Sequence, residues 1–289
     1  MRESTPSRTA QWVALARGLA ERLPPEAQLA IDPYGAAFEQ GPRPRLQRAL
    51  DRAGLHIERF ARIKAWILYM QVRTRVIDDA VRAFVARGGR QLVLLGAGYD
   101  TRVLRLPALA DVRVFEIDHP ATQRHKREVL DRIAARSPAT YIEWNFESRP
   151  LSELPARLAE AGHDVRAPTF TIWEGVTMYL TEQAIDASLR AIHAWSAPGS
   201  QLAMTYFARA RLTKPSLPTR FVSAVVARVG EPWQWGWAPA ELPGYFAERG
   251  FAVERDVTMA EAARELLPAA FASFVSGRDQ RIALARVGT

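Results

Sequence analysis

The stretch Leu94-Leu95-Gly96-Ala97-Gly98-Tyr99-Asp100-Thr101 reads as a strand that runs into glycines and then a helix. Glycines at such a turn let the backbone approach a ligand closely, and ligands bind at the carboxyl ends of these strands. Steric need alone also places glycine there. A dinucleotide fingerprint wants a third glycine three residues after the second, and that position is Thr101. Asp100 would stand near a pyrophosphate, so a ligand without phosphates fits better. Asp100 is equally a helix N-cap.

Three further blocks follow. Phe115-Glu116-Ile117-Asp118 ends a second strand in acid, about twenty residues after the glycines, where a carboxylate accepts hydrogen bonds from ribose hydroxyls. Glu116 and Asp118 share one side of the strand because side chains alternate. Asp118 is nearer the carboxyl end and is the better ribose candidate; the plain alternative is a cap for the helix that Pro120 opens. Trp144-Asn145-Phe146 follows a third strand. There Asn145 is placed to read an adenine edge while Phe146 packs on the ring, or the segment simply starts a loop. Trp173-Glu174-Gly175-Val176-Thr177-Met178-Tyr179-Leu180 turns a buried strand into a carboxylate at the cleft. A buried carboxylate is costly without a partner, so Glu174 is expected to meet a cation, either on a ligand or on one of the many arginines.

These blocks need a scaffold. Gln91–Gly96, Val112–Asp118, Tyr141–Phe146, Thr169–Trp173, Gln201–Phe207, Phe251–Val257 and Gln280–Val287 read as seven strands. Helices are expected over Ala121–Arg136, Thr181–Ala194 and Pro239–Arg249. Strands alternating with helices imply an α/β fold with parallel βαβ units in one twisted sheet. The first ninety residues read as helices. Ala10 to Leu23 looks amphipathic and stops at Pro24-Pro25. Phe60 to Val85 carries Ile63, Ile67, Met70, Ile77, Val81, Phe84 and Val85 at helical spacing and ends at Gly88-Gly89. The expected layout is a single domain over 1–289: a helical cap over 1–89, a cofactor-binding core over 90–207, a lid insertion over 208–238, and C-terminal strands and helices over 239–289. The lid holds Trp233, Trp235 and Trp237, which either cover an acceptor or pin the loop to the sheet.

Composition sets the outer bounds. Nearly half the 289 residues are apolar, enough for a large core. There is no cysteine, which rules out disulfides and thiolate–zinc sites. No apolar run reaches transmembrane length, and Met1 to Ala10 is too polar for a signal peptide, so a cytoplasmic protein without membrane partners is expected. The formal charge is +8, yet only Lys64, Lys126 and Lys214 are lysines and the arginines are scattered. A solvated arginine-rich surface explains this better than a nucleic-acid patch. His56, His125, His163 and His193 form no readable constellation, and no metal motif is present.

Gly96-Ala97-Gly98-Tyr99-Asp100-Thr101-Arg102, Glu116-Ile117-Asp118-His119-Pro120, Glu174-Gly175-Val176-Thr177-Met178-Tyr179-Leu180 and Arg73-Thr74-Arg75-Val76-Ile77-Asp78-Asp79 together resemble the leucine carboxyl methyltransferase family, which includes bacterial polyketide O-methyltransferases. The resemblance runs from about Thr9 to Phe207. It implies a Rossmann-like class I methyltransferase sheet whose last strand inserts antiparallel, and S-adenosyl-L-methionine as cofactor. By position it implies that Arg73 pairs with the cofactor's methionine carboxylate, that Gly96 lies under the cofactor, that Asp118 binds the ribose and that Glu174 is the motif acid. Arg17 is a looser match. The adenine position departs from the family, which usually has aspartate where this chain has Asn145; an amide keeps an acceptor but adds a donor.

The expected function is S-adenosylmethionine-dependent O-methylation of a carboxylate or hydroxyl on a small molecule, polyketide-like acceptors included. A carboxylate needs no general base; a hydroxyl is helped by one. His119 is the candidate base nearest the cofactor, although a histidine before proline is commonly a cap. Tyr179 is the candidate for orienting the acceptor. The competing readings are an NAD(P)-dependent oxidoreductase, which Thr101 disfavours, and an RNA-modifying methyltransferase, which would reconcile charge with fold.

Overall fold

The computed structural model describes residues 6–39, 60–215, 219–220, 223–224, 227 and 232–288. Parts of the expected cap, with His56, and of the expected lid lie outside them.

Seven strands form one sheet: β1 (Gln91–Leu95), β2 (Arg113–Asp118), β3 (Thr140–Glu143), β4 (Thr169–Trp173), β5 (Gln201–Phe207), β6 (Phe251–Thr258) and β7 (Gln280–Val287). Their order is β3-β2-β1-β4-β5-β7-β6. β1 pairs in parallel with β2 and β4, and β4 in parallel with β5. β7 runs antiparallel between β5 and β6, as the resemblance implies. All residues of β1 and β4 are buried, which is why both read as continuous apolar or small runs, as expected of parallel strands covered on both faces.

Among the described residues the α-helices of six residues or more are α1 (Arg8–Gly18), α2 (Ala61–Ala86), α3 (Pro120–Arg132), α4 (Leu154–Glu160), α5 (Glu182–Ala194), α6 (Leu242–Ala247) and α7 (Met259–Leu266). Alternation along the strands splits the core. Val93, Leu95, Phe115, Ile117 and Trp173 face α4, α5 and α6. Leu92, Leu94, Val114, Phe170 and Ile172 face Ile77, Val81 and Phe84 of α2. The other half of α2, through Ile67, Leu68, Val72 and Val76, packs on α7 and the turns after α1. At 26 residues α2 is about 39 Å long. It therefore joins the N-terminal layer to the sheet, and both a cap residue and a sheet-packing residue ride on one rigid rod.

Several boundaries differ from the sequence reading. α1 starts at Arg8, where the Ser7 hydroxyl accepts the Ala10 N–H, and a 3-10 turn over Leu19–Arg22 takes the place of its last turn. It is not amphipathic: Gln11 and Arg17 are buried beside Ala14 and Ala16. β3 stops at Glu143, because the Asn145 Oδ1 accepts the Glu147 N–H and turns the chain. α3 ends at Arg132, followed by Ala134 at φ 54°. α6 is shorter than Pro239–Arg249, and α4 and α7 are helices that periodicity did not single out. α7 is fixed by a capping box of Thr258 and Glu261.

Candidate functional site

The carboxyl ends of β1, β2 and β4 meet at one crest. After β1 the chain turns through Gly96 (φ +74°) and Gly98 (φ +52°), a region that L side chains rarely adopt. A Cβ on Gly96 would come within 2.6 Å of the Val176 side chain. The Gly96 and Ala97 N–H groups donate to the Ile117 carbonyl. Asp118 then ties the two strands together: its Oδ2 accepts the Gly98 N–H at 2.5 Å and its Oδ1 the His119 N–H at 2.6 Å. Burial raises the Asp118 carboxyl, against these two donors, which lower it. Glu116, the other acid on that side of β2, is buried on Lys126 at 2.5 Å, and the same ammonium donates to the Asp100 carbonyl. Asp118 rather than Glu116 is thus the acid that faces open space.

Glu174 leaves β4 into a cluster of opposite charge. Its Oε1 lies 2.6 Å from Arg73 Nε and its Oε2 2.9 Å from Arg102 Nη1. Burial alone would raise the Glu174 carboxyl, but Arg73 and Arg102 outweigh it and hold it down at about 2. Arg102 also meets Asp78 at 2.7 Å and the Asp100 carboxylate, and Arg105 meets Asp78 at 2.5 Å. Arg73 further contacts the Tyr69 hydroxyl. Two of the chain's many arginines thus meet Glu174. Sequence reasoning gave no role to Arg102 or Asp78. The signal was there: Asp78 sits on the helical stripe of Thr74, Ile77 and Val81, an acid where an apolar residue belongs.

The remaining candidates are placed as follows. Asn145 is half-buried, with its carbonyl oxygen on the Glu147 N–H, and Phe146 is exposed beside it. His119 caps α3, its Nδ1 accepting the Ala121 N–H at 3.2 Å. A neutral imidazole that accepts at Nδ1 carries its proton on Nε2. Tyr179 lies on a 3-10 turn (Thr177–Tyr179), whose backbone is stapled to the segment after residue 231: Gln234 donates from its amide N–H to the Met178 carbonyl and from Nε2 to the Tyr179 carbonyl. Arg17 is buried on Asp32 and on the Tyr99 carbonyl.

One cavity of about 900 Å³ brings these together: Arg17, Arg73, Gly96, Gly98, Asp118, His119, Asn145, Phe146, Glu174 and Tyr179 all line it. Its remaining wall is largely apolar, with Trp12 and Trp66 from the N-terminal helices and Phe207 and Trp233 from the strand-five side. The three alternating tryptophans separate. Trp233 lines the cavity. Trp237 is fully buried in the core against Tyr206, Tyr245 and Phe246, and Trp235 packs against that core from outside. Among the described residues no group of three or more His, Cys, Asp or Glu could hold a metal ion, and no helix is long and apolar enough to cross a membrane.

The family profile described as leucine carboxyl methyltransferase matches residues 10–193, more than half of the chain. The chain belongs to the leucine carboxyl methyltransferase family. A relative from Mycobacteroides abscessus, provisionally named an S-adenosyl-L-methionine-dependent methyltransferase, is 38% identical over 68% of this chain and 62% of its own. Another so named, from Streptomyces coelicolor, is 36% identical over 57% of this chain and 61% of its own. The matched region thus spans about three fifths of these relatives' length. Two solved structures share the fold: a protein from Thermobifida fusca provisionally titled a methyltransferase (18% identity, TM-score 0.60, covering 100% of this chain and 97% of that one) and a DUF574 family protein from Streptomyces avermitilis (17% identity, TM-score 0.61, 99% of each).

The part that matches this leucine carboxyl methyltransferase family holds α1, α2 and β1 to β4, hence every expected cofactor residue. β5 to β7 and Trp233 lie beyond it. The donor set suits the family's cofactor. A nucleoside edge needs acceptors and apolar cover, which Asp118, Asn145, Ala97, Phe146 and Leu151 offer on one side of the cavity. An amino-acid end carries one positive and one negative group, and Arg73 with Glu174 presents the complementary pair.

Proposed function

We propose that the chain binds S-adenosylmethionine in this cavity and methylates a carboxylate or hydroxyl of a small, largely apolar acceptor. The observation that supports this most is the gathering of Gly96, Gly98, Asp118, Arg73 and Glu174 on one wall of a cavity whose other wall is aromatic. When bound, the cofactor supplies a methyl on a sulfonium sulfur, open to in-line displacement. The protein's share is placement and the exclusion of water.

Asp118 offers its remaining lone pairs to the ribose hydroxyls, while its backbone contacts keep the Gly98 turn narrow. Arg73 holds the methionine carboxylate, and Glu174, ionised and fixed by Arg102, faces the ammonium. Asn145 and Phe146 border the adenine. Tyr179 orients the acceptor from its stapled turn. His119 has its Nδ1 committed to the Ala121 N–H. That nitrogen is therefore not free for a substrate while the cap holds. That favours a nucleophile that needs no base. Polyketide-like acids and phenols would lay their apolar bodies on the aromatic side.

The test is calorimetry with S-adenosylhomocysteine, then transfer of labelled methyl from S-adenosylmethionine to panels of small carboxylic acids and phenols. Saturable binding and turnover on at least one panel are expected. Binding of NAD(P) without binding of S-adenosylhomocysteine would overturn the assignment.

A further inference from the structure

Phe207 ends β5 and Gln280 opens β7, and the two stand directly opposite each other in the antiparallel pair. Side chains so placed lie about 5 Å apart at Cβ. Alternation puts both on the α2 face of the sheet: Ala203 of β5 and Ile282 of β7, in step with them, pack among residues of α2. Both line the cavity, as do Trp66, Tyr69 and Met70 of α2. β4, β5 and β7 are successive strands, and adjacent strands lie about 4.8 Å apart, so Gln280 stands about 10 Å along the sheet from the end of β4, where Glu174 and Arg73 pair. It also lies outside residues 10–193, which match the family.

Polar groups elsewhere on this wall are engaged. The Tyr69 hydroxyl meets Arg73, Gln234 donates to the Tyr179 carbonyl, and the Ser188 hydroxyl donates to the Ala184 carbonyl. Gln280 differs. Its half-buried side-chain amide makes no hydrogen bond among the described residues. Its Oε1 leans over Gly277, where an added Cβ would come within 2.8 Å of that oxygen. Gly277 thus keeps the space in which the amide lies, and the NH2 end is left for a ligand. A polar group withdrawn from water without a partner is costly, and a bound acceptor can supply the partner. A neutral amide among aromatic and aliphatic neighbours compensates no charge, so that partner is uncharged.

We propose that Gln280 is a specificity residue of the acceptor site: its amide N–H donates to a neutral carbonyl oxygen at the end of the acceptor remote from the transferred methyl, while Phe207 packs on the acceptor's apolar body. This rests on the methyltransferase reading and adds a second recognised group to its acceptor. The acceptor is then an elongated molecule rather than a single ring, with its nucleophile toward β4 and a ketone-like oxygen toward β7.

The test uses the full chain saturated with S-adenosylhomocysteine. Calorimetry compares 6-acetyl-2-naphthol and 6-acetyl-2-naphthoate with their 6-isopropenyl counterparts, in which a methylene of like shape replaces the ketone oxygen. Wild type should bind at least one ketone about fivefold tighter than its counterpart, the range of one neutral hydrogen bond. Gln280→Leu should abolish that preference by weakening the ketone alone, and Gln280→Glu should abolish or reverse it, because a carboxylate repels the ketone oxygen. Gly277→Ala keeps Gln280 but claims the space of its Oε1, and should shrink the preference. Affinity for S-adenosylhomocysteine should stay at the wild-type value throughout. Should Gln280→Leu melt early, Gly277→Ala decides, and an unchanged preference in it overturns the proposal. Equal binding of ketone and counterpart by wild type in both pairs, binding of none of the four, or a preference that survives Gln280→Leu overturns the role of Gln280 while leaving the cofactor assignment standing. Failure of wild type to bind S-adenosylhomocysteine removes the methyltransferase reading itself and this proposal with it.

Discussion

Arg73 of α2 and Glu174 at the end of β4 meet at 2.6 Å on the cavity wall, so the helix that carries the N-terminal layer is tied by charge to the sheet that carries the site. Arg102 closes the link from the other side and passes it on to Asp78, again on α2. Breaking such a buried pair leaves a charge without compensation, which costs about 3–5 kcal/mol. Arg73→Ala would leave Glu174 with Arg102 alone, whereas Glu174→Gln keeps an acceptor for Arg102.

The first prediction follows from Glu174. Its folded pKa, about 2, lies below the ordinary 4.5. A depressed carboxyl contributes stability that is present above the unfolded value and lost as pH falls through the folded one. The window is therefore pH 4.5 down to about 2, and Asp100, also lowered, adds to it in the same direction. The Glu174 part is on the order of 3 kcal/mol. Melting temperature should fall steeply across that window in wild type and less steeply in Glu174→Gln. Parallel curves for the two proteins would show that Glu174 is not the titrating group.

The second concerns Gly96. An added methyl meets both a positive φ and the Val176 side chain at 2.6 Å. Gly96→Ala should lose about 1–3 kcal/mol of stability and weaken S-adenosylhomocysteine binding. The double variant Gly96→Ala with Val176→Ala removes the clash but not the strain, so it should recover part of each loss in denaturant melts and calorimetry. No recovery would place the whole effect in the backbone.

The third concerns Asp118. Because it holds the Gly98 and His119 N–H groups, its loss affects the fold as well as binding. Asp118→Ala should weaken S-adenosylhomocysteine at least about tenfold and lower stability by about 1–3 kcal/mol. Asp118→Asn keeps one acceptor and should fall between. An unchanged affinity in calorimetry would remove Asp118 from the cofactor site.

Much of the crest was legible because its signals are local. A strand followed by Gly96 and Gly98, a strand ended by Asp118 and a strand ended by Glu174 each announce a place in the fold, and the sheet's alternation fixes the rest. What was not legible is set through space. The sequence left Glu174 a ligand or any of many arginines as partner; the packing of α2 under the sheet brings Arg73 to it, and the turn after β1 brings Arg102. Element ends moved where a side chain took a backbone donor, as at Asn145 after β3 and at His119 before α3. The tryptophans show the same limit. Trp233, Trp235 and Trp237 are one residue type at even spacing, yet the chain between them bends where Gly236 crosses the Phe207 carbonyl; a Cβ there would lie 2.4 Å from that oxygen. The Arg209 N–H then donates to the Trp237 carbonyl at 2.8 Å and draws Trp237 inward.

That bend yields the last prediction. Trp237 fills the core between Tyr206, Tyr245 and Phe246, whereas Trp233 faces the cavity against Phe207. Trp237→Ala removes a fully buried indole and should cost about 3–5 kcal/mol, read as a large drop in melting temperature. Any protein that remains folded should show the wild-type order of preference among methyl acceptors. Trp233→Ala removes wall rather than core. It should shift melting temperature by a few degrees at most, leave S-adenosylhomocysteine affinity near the wild-type value, and change which acceptors are methylated, with bulky aromatic acids losing most. The two variants are informative as a pair because they delete the same side chain four residues apart. If both lower stability alike and neither alters the acceptor profile, the segment after residue 231 is a strap across the sheet, and the acceptor must be bounded instead by Trp12 and Trp66.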